Sequence, residues 1–221
     1  MMQRVPTGIS TLDSILKGGF EKGSITLIYG GPGTGKTNIA LNFSINCVKN
    51  YGGVIFIDSE SLSPERLHSF TGGKREIASK LLFYRVRSFI EQEEAIKKTY
   101  SLLMRGINVS AIVIDSFTEF YNLNIEHMNS LASLSKQLGI LEDIAKNYSL
   151  VVLLTSRVYY SIKDGRIKNV AGYYMNPAIK TIIRLEKIDD IRKAILEKHR
   201  TIIPGKEALF KIQSDSVIGV E

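Results

Sequence analysis

The stretch YGGPGTGKTNIAL, residues 29–41, places four glycines, a lysine and two threonines between an apolar run and a helix-like run. Its core fits the spacing G-x-x-x-x-G-K-[ST], in which glycines let successive backbone N–H groups turn towards an anion. The positive end of the helix that follows would face the same anion. A plain glycine-rich turn is the alternative. The pattern predicts a phosphate-binding loop whose nucleotide contacts are Gly30, Gly31, Pro32, Gly33, Thr34, Gly35, Lys36, Thr37 and Asn38.

Three side chains would give this loop the chemistry of a nucleotide site. Lys36 would reach the β- and γ-phosphates, and the Thr37 hydroxyl would ligate Mg²⁺. The run AIVIDS places Asp115 at the carboxyl end of a buried strand, which is where ligands sit in open α/β sheets. Asp115 is therefore a second metal candidate, although an aspartate that only caps the next helix would look the same.

Hydrolysis of the nucleotide would need a base or an orienting group for water. The run VIFIDSE, residues 54–60, ends just beyond a strand with Glu60, which could reach a water near the γ-phosphate. A solvated acid or an acid at the start of a helix fits the same position. The residues alone therefore leave Glu60 as a candidate catalytic group beside Lys36.

Length and composition indicate one ordinary globular domain spanning residues 1–221. The chain is 44% hydrophobic and 23% charged, which suits a packed core. A formal charge of +7 favours polyanionic partners without identifying them. The single Cys47, the lack of an apolar leader and the lack of an 18-residue apolar run predict a cytoplasmic protein with no membrane role.

Short apolar runs alternate with amphipathic runs over residues 24–155, which predicts an α/β fold with a mainly parallel sheet flanked by helices. We expect strands at 24–29, 53–58, 80–86, 111–115 and 149–155. We expect helices at 36–50, about 90–105 and 125–148. Three strand-like runs after residue 179 predict C-terminal antiparallel strands added to one edge.

The segment from Arg157 to Pro177 has little apolar periodicity, so we expect a long, mobile, functional loop. Its cations alternate with tyrosines, a composition that suits single-stranded DNA because rings stack on bases while cations follow the backbone. A surface loop without this role is the alternative. The DNA-binding candidates are Arg157, Tyr159, Tyr160, Lys163, Arg166 and Lys168, with Tyr173 and Tyr174 beyond them.

Taken together, several runs resemble the RecA superfamily: GGPGTGKT, FIDSE followed by SPERL, AIVIDS, and LEKHRTIIPGKEALFKI. The opening VPTGISTLDSILKGGFEKGSITLIYG is also similar to the start of the core that RadA and KaiC share. The resemblance covers the chain from Val5 to Val220. It implies a RecA-type P-loop ATPase core that binds ATP and Mg²⁺.

The resemblance also implies roles for single residues. Glu60 matches the acid that activates water, and Asp115 matches the metal-associated aspartate. Arg66 in SPERL matches an arginine that stacks on adenine, for which a guanidinium plane is suited; an exposed helix arginine is the alternative. The helical N-terminal domain of RadA has no counterpart ahead of Val5. The linker segment by which RadA subunits join into filaments has no evident counterpart there either, so we expect no long filament, although a homo-oligomer is possible.

Two runs depart from the family pattern. Relatives end the fifth strand with T-N-Q, whose glutamine senses the γ-phosphate, whereas this chain has Thr155, Ser156 and Arg157. Relatives also carry D-S-P-x-L-P where this chain reads KHRTIIP. Lys198, His199 and Arg200 either send a cation into a neighbouring subunit's site or form a solvated sheet edge.

The resemblance implies an ATP-binding and DNA-binding protein of homologous recombination and DNA repair, with weak DNA-dependent ATPase activity. It would assist a RadA-type recombinase. A mediator that binds DNA without hydrolysing ATP is an alternative favoured by Arg157, and a KaiC-like signalling ATPase is another.

Overall fold

The computed structural model of the chain describes residues 3–121, 127–161, 166–169 and 177–220. Within these ranges the helices are α1 (Ser10–Ile15), α2 (Lys36–Asn50), α3 (Pro64–Thr71), α4 (Arg75–Ala78), α5 (Phe89–Met104) and α6 (His127–Tyr148). The strands are β1 (Arg4–Val5), β2 (Phe20–Glu21), β3 (Ser24–Gly30), β4 (Gly53–Asp58), β5 (Leu81–Arg85), β6 (Val109–Asp115), β7 (Val151–Ser156), β8 (Val158–Ser161), β9 (Arg166–Asn169), β10 (Ile179–Ile188), β11 (Ile191–Lys198), β12 (Glu207–Ile212) and β13 (Val217–Val220).

The main sheet confirms the predicted α/β fold. Over the described ranges it has nine strands in the order β13-β12-β11-β10-β3-β7-β6-β4-β5. All pairs from β10 to β5 are parallel, and those from β10 to β13 are antiparallel. The predicted C-terminal antiparallel strands are confirmed, and β10 connects them to the parallel part of the sheet because it also lies parallel to β3. The edge strand β13 is not predicted from the sequence.

The central strands are apolar because helices cover both faces of the sheet. Alternate residues of β6 point to opposite sides: Ala111 and Val113 pack into one core, and Ile112 and Ile114 pack into the other. Helix α2 covers the first core, where Phe20 and Phe43 meet edge to face at 4.9 Å. Helices α5 and α6 cover the second core.

Parallel pairing brings the carboxyl ends of four strands to one side of the sheet. Asp58 at the end of β4 pairs with Asp115 at the end of β6, and Tyr29 near the end of β3 pairs with Ser156 at the end of β7. The segments that follow these strands therefore meet at the same place. This is the position where ligands bind in open α/β sheets.

Part of the segment predicted as a long loop is instead a two-stranded hairpin. Strands β8 and β9 pair antiparallel, with Tyr159 opposite Lys168 and Ser161 opposite Arg166. The β-branched and aromatic residues in VYYS favour an extended backbone, which explains the difference.

Across the described ranges, no helix is long and apolar enough to span a bilayer.

Candidate nucleotide-binding site

A cavity of about 580 Å³ lies at the carboxyl ends of β3, β6 and β7. It contains the predicted phosphate loop, the predicted catalytic acid and the arginine that departs from the family pattern. The lining residues are Gly30, Pro32, Gly33, Gly35, Lys36, Thr37, Asn38, Glu60, Thr118, Glu119, Tyr121, Arg157 and Val158. The structure thus brings together residues that are up to 128 positions apart in the chain.

Backbone geometry explains two of the loop glycines. A Cβ on Gly30 would lie 2.7 Å from the Leu185 carbonyl oxygen and 2.7 Å from Thr34 Oγ1. Gly35 has a φ of +99°, a region that favours glycine, and it precedes the first residue of α2. Since Gly35 has no side chain to cap the helix, the first N–H groups of α2 remain for an anion.

The Lys36 ammonium is held inside the loop. Its Nζ donates hydrogen bonds to the carbonyl oxygens of Gly30 at 3.0 Å and Gly31 at 3.2 Å. Burial lowers the pKa of Lys36, and the nearby carboxylates of Glu60 and Asp115 oppose that shift. A phosphate would be a stronger partner than these neutral carbonyls, because hydrogen bonds between two ionised groups are stronger.

Thr37 and Asp115, the two predicted metal residues, lie in contact. Hydroxyl groups of Thr37 and Thr155 donate to the Asp115 carboxylate. Asp115 is 1% exposed, and this burial raises its pKa to about 6 against the effect of those hydrogen bonds. A buried carboxylate joined to a hydroxyl at the phosphate loop is a suitable oxygen donor set for Mg²⁺.

Glu60 extends into the cavity from a segment that Asp58 organises. The buried Asp58 carboxylate accepts hydrogen bonds from the backbone N–H groups of Glu60 at 3.2 Å and Leu62 at 2.9 Å. Arg85 pairs with the same carboxylate at 3.2 Å. Ser59 and Ser116 then join the β4 and β6 ends through two 2.7 Å hydrogen bonds. The Glu60 backbone is therefore fixed while its side chain is exposed.

Arg66, the predicted adenine contact, lies beside the cavity on α3. Its guanidinium donates to Asn38 Oδ1 and, at 3.1 Å, to the Ser214 carbonyl, and it lies 4.9 Å from the centre of the Phe70 ring. Asn38 lines the cavity, whereas Arg66 does not and is connected to the cavity through its hydrogen bond to Asn38. Its role in adenine stacking stays a prediction.

Arg157 follows the carboxyl end of β7 and lines the cavity. Its Nε lies 3.0 Å from Glu119 Oε2, and its backbone N–H donates to Thr118 Oγ1 at 3.1 Å. The sequence analysis missed Thr118, Glu119 and Tyr121 as cavity residues. Their position three to six residues after Asp115, at the carboxyl end of a parallel strand, is the signal that could have identified them.

Arg192 is another residue that the sequence analysis missed. It lies at the start of β11, and its Nε donates to the Gly33 carbonyl at 2.9 Å. Its Nη1 donates to the carbonyls of Asp189 and Ile191, each at 3.1 Å. This arginine therefore connects the turn between β10 and β11 to the phosphate loop.

The DNA-binding candidates lie in the chain segment that begins at the cavity residue Arg157 and continues into β8 and β9. Arg157 precedes β8, the backbones of Tyr159 and Tyr160 lie in β8, and those of Arg166 and Lys168 lie in β9. Lys163, Tyr173 and Tyr174 are outside the described residues. The DNA role of all these residues stays a prediction.

The tail cations lie at the other end of β3. Arg200 Nε donates to Glu21 Oε2 at 2.7 Å, and His199 Nε2 lies 3.6 Å from Glu21 Oε1. Lys198 ends β11, whose pairing with β12 covers only Arg192–Ile195, so the alternative of a solvated sheet edge stays a prediction. The role of these cations in a neighbouring subunit's site stays a prediction.

Comparison with known proteins gives the same family over nearly the whole chain. The model of the Rad51 family matches residues 1–220. The DNA repair and recombination protein RadB of Thermoplasma acidophilum is 37% identical over 98% of this chain and 94% of that protein. The RadB protein of Methanococcoides burtonii is 38% identical over 93% of both chains.

A solved structure supports the fold independently. The crystal structure of the RadB recombinase superposes with a TM-score of 0.81 at 30% identity, covering 98% of this chain and all of that one. The chain therefore belongs to the Rad51 family and groups within it with the archaeal RadB proteins.

Proposed function

We propose that this chain binds ATP with Mg²⁺ at the loop Gly30–Thr37 and acts on DNA in recombination and repair. The observation that carries the proposal is the shared cavity formed by the phosphate loop, Glu60 and Arg157. Family membership supports it, since the RadB relatives are named DNA repair and recombination proteins.

The residues fit a magnesium triphosphate. Backbone N–H groups of the loop and the Lys36 ammonium would bind the phosphates, and Thr37 and Asp115 would hold the metal. Mg²⁺ supplies positive charge to the phosphate oxygens. The steric limit at Gly30 supports this assignment, because a side chain there would push the start of the loop away from β10 and from the Thr34 hydroxyl.

Glu60 is the proposed acid that orients water for hydrolysis. Its anchored backbone and exposed carboxylate suit that task, since Asp58 fixes the segment while the side chain can reach into the cavity. We expect slow hydrolysis because the cavity wall has Arg157 where relatives have glutamine.

The hairpin β8–β9 is the proposed contact for single-stranded DNA. It begins at Val158, a cavity residue, so a ligand in the cavity and a strand on the hairpin would share one short segment. We further propose that the chain assists a RadA-type recombinase and that it can form a homo-oligomer.

A non-hydrolysing mediator is a second candidate, favoured by the Arg157–Glu119 ion pair. A guanidinium that is engaged with a carboxylate is a poor substitute for an amide that orients phosphate and water. In this form ATP would act as a conformational ligand for DNA binding.

Phosphate release measured with and without single-stranded DNA separates the two candidates. A weak ATPase predicts DNA-stimulated release that Glu60→Gln strongly reduces while ATP binding is retained. The matched control is Glu65→Gln, which changes an exposed acid on α3 away from the cavity. Binding of ATP and DNA without release would favour the mediator, and no binding of either would refute the proposal.

A further inference from the structure

The cavity contains an ion pair whose guanidinium is close enough to the Lys36 ammonium to add to the effect of burial, which lowers the pKa of that lysine. Arg157 Nε lies 3.0 Å from Glu119 Oε2, and both side chains line the same cavity as Lys36. The sequence signals that identified the phosphate loop do not account for Glu119. This residue therefore needs a separate explanation.

The pair is loose enough to exchange partners. Arg157 is 56% exposed in its side chain, and the Glu119 oxygen facing it lacks the alignment of a hydrogen bond. Glu119 is 20% exposed in its side chain, and an ion pair with one largely exposed partner is weak because solvent screens it. A phosphate oxygen, by contrast, can accept well-aligned bonds from a guanidinium fork.

Exchange would move the side chain and leave the strand in place. The Arg157 backbone N–H donates to Thr118 Oγ1 at 3.1 Å, and Thr118 Oγ1 lies 3.1 Å from Ser156 Oγ. These contacts anchor the backbone at the end of β7. The Arg157 guanidinium could therefore exchange the Glu119 carboxylate for a phosphate oxygen without movement of the backbone.

The two carboxylates in the cavity, Glu60 and Glu119, oppose a third phosphate. Burial raises the pKa of Glu119, the Arg157 charge lowers it, and the Glu60 charge raises it again. The Glu119 carboxylate thus lies in a partly buried place that it shares with another acid. Drawing Arg157 away would leave two carboxylates near the added phosphate.

We propose that Glu119 is a positioning residue that competes with the terminal phosphate for Arg157 and so lowers the preference for a nucleoside triphosphate over a diphosphate. The inference rests on the proposed nucleotide-binding function. It adds a residue that tunes how the cavity discriminates between the two ligands.

A double-mutant cycle tests the inference through the ratio of ADP to ATP dissociation constants, measured by calorimetry with Mg²⁺. Glu119→Gln should raise the ratio by about 1.4-fold to fivefold, the range expected for a partly exposed ion pair. In an Arg157→Gln background the same change should raise the ratio by a clearly smaller factor, because only the direct repulsion between the Glu119 carboxylate and the phosphate is then removed. Glu142→Gln is the matched control, because Glu142 pairs with Lys146 and Lys180 on α6 and β10, away from the cavity.

A lower or unchanged ratio in Glu119→Gln would overturn the inference, as would an equal gain without Arg157. Glu119→Ala should change the ratio in the same direction, and matching thermal unfolding midpoints would show that the variants are folded. If the wild type binds ATP through Lys36 but the cycle fails, only the role of Glu119 is wrong. If the wild type binds no ATP, the proposed function fails with it.

Discussion

Charged groups at the two ends of strand β3 differ in their partners: those before the strand form ion pairs, and the lysine after it binds neutral carbonyl groups. Before β3, the Glu21 carboxylate is fully buried and pairs with Arg4 at 2.9 Å and Arg200 at 2.7 Å, with His199 beside it. After β3, the Lys36 ammonium donates to backbone carbonyls of its own loop. The Glu21 cluster consists of Glu21, Arg4, Arg200 and His199, and the phosphate loop consists of Gly30–Thr37.

The difference separates a structural site from a binding site. In the Glu21 cluster, each charged group already has an oppositely charged partner, so an external ligand would have to displace one of these ion pairs. In the phosphate loop, a cation is partnered by neutral acceptors and faces a cavity, so an anion can replace them. Charge alone does not identify a binding site; the strength of its internal partners does.

The largest effect should come from removing the loop cation. Lys36→Ala should weaken Mg-ATP binding by about 1,000-fold, because it removes two charge-assisted hydrogen bonds to phosphate. Titration calorimetry measures the change. Arg200→Ala, the control from the Glu21 cluster, should leave the affinity unaltered. Equal affinities for Lys36→Ala and the wild type would contradict the comparison.

The next effect should appear in folding. Glu21→Gln should lower the free energy of unfolding by about 3 kcal/mol, because it leaves two guanidinium groups without their buried partner. Urea denaturation measures this loss. Glu60→Gln, which changes an exposed acid beside the phosphate loop, should stay within about 0.5 kcal/mol of the wild type. Similar losses for both variants would show that the Glu21 cluster has no special structural role.

A pair of neighbouring glycines gives a smaller effect within the phosphate loop. Gly30→Ala should cost about 2 kcal/mol, because the added methyl group would meet the Leu185 carbonyl at 2.7 Å. Gly31→Ala should change stability little, because no atom lies within 4 Å of the added methyl group. Denaturation of both variants measures the difference, and equal stability would argue against a tight cradle at Gly30.

The smallest effect concerns pH and the Glu21 cluster. Burial lowers the pKa of His199 from 6.5; Glu21 opposes the shift, and Arg4, Arg200 and Lys17 add to it. The His199 Nδ1 accepts backbone hydrogen bonds from Thr201 at 3.1 Å and Ile202 at 3.2 Å, which protonation would break.

Since the unfolded chain binds this proton more readily, His199 should make the fold less stable as the pH falls below about 6.5. The stability advantage of the wild type over His199→Gln should therefore shrink between pH 7.5 and 5.5. Denaturation at several pH values measures the change. His68→Gln, at an exposed position on α3, is the control, and a constant advantage would contradict the role of His199.

Much of the site could be predicted because its signals are local. The phosphate loop is a continuous run of residues, and Asp115 and Glu60 follow the ends of apolar strands that the sequence marks clearly. Parallel pairing then brings those ends together. For these residues, a motif and the strand pattern contain the necessary information.

The remaining contacts depend on pairing between distant segments. Arg192 reaches Gly33 only because β10 lies beside β3 and the turn after β10 returns over the loop. Arg4 and Arg200 meet Glu21 across separations of 17 and 179 residues. Nothing in the neighbouring sequence of these residues marks them as partners.

A crystal structure with saturating Mg²⁺ and a non-hydrolysable ATP analogue tests the central claim most directly. We expect the triphosphate within Gly30–Thr37, with Lys36 Nζ turned from the carbonyls of Gly30 and Gly31 towards phosphate oxygens. The Glu21 cluster should keep its ion pairs unchanged. A nucleotide bound elsewhere, or a phosphate loop that stays empty at saturation, would contradict the account.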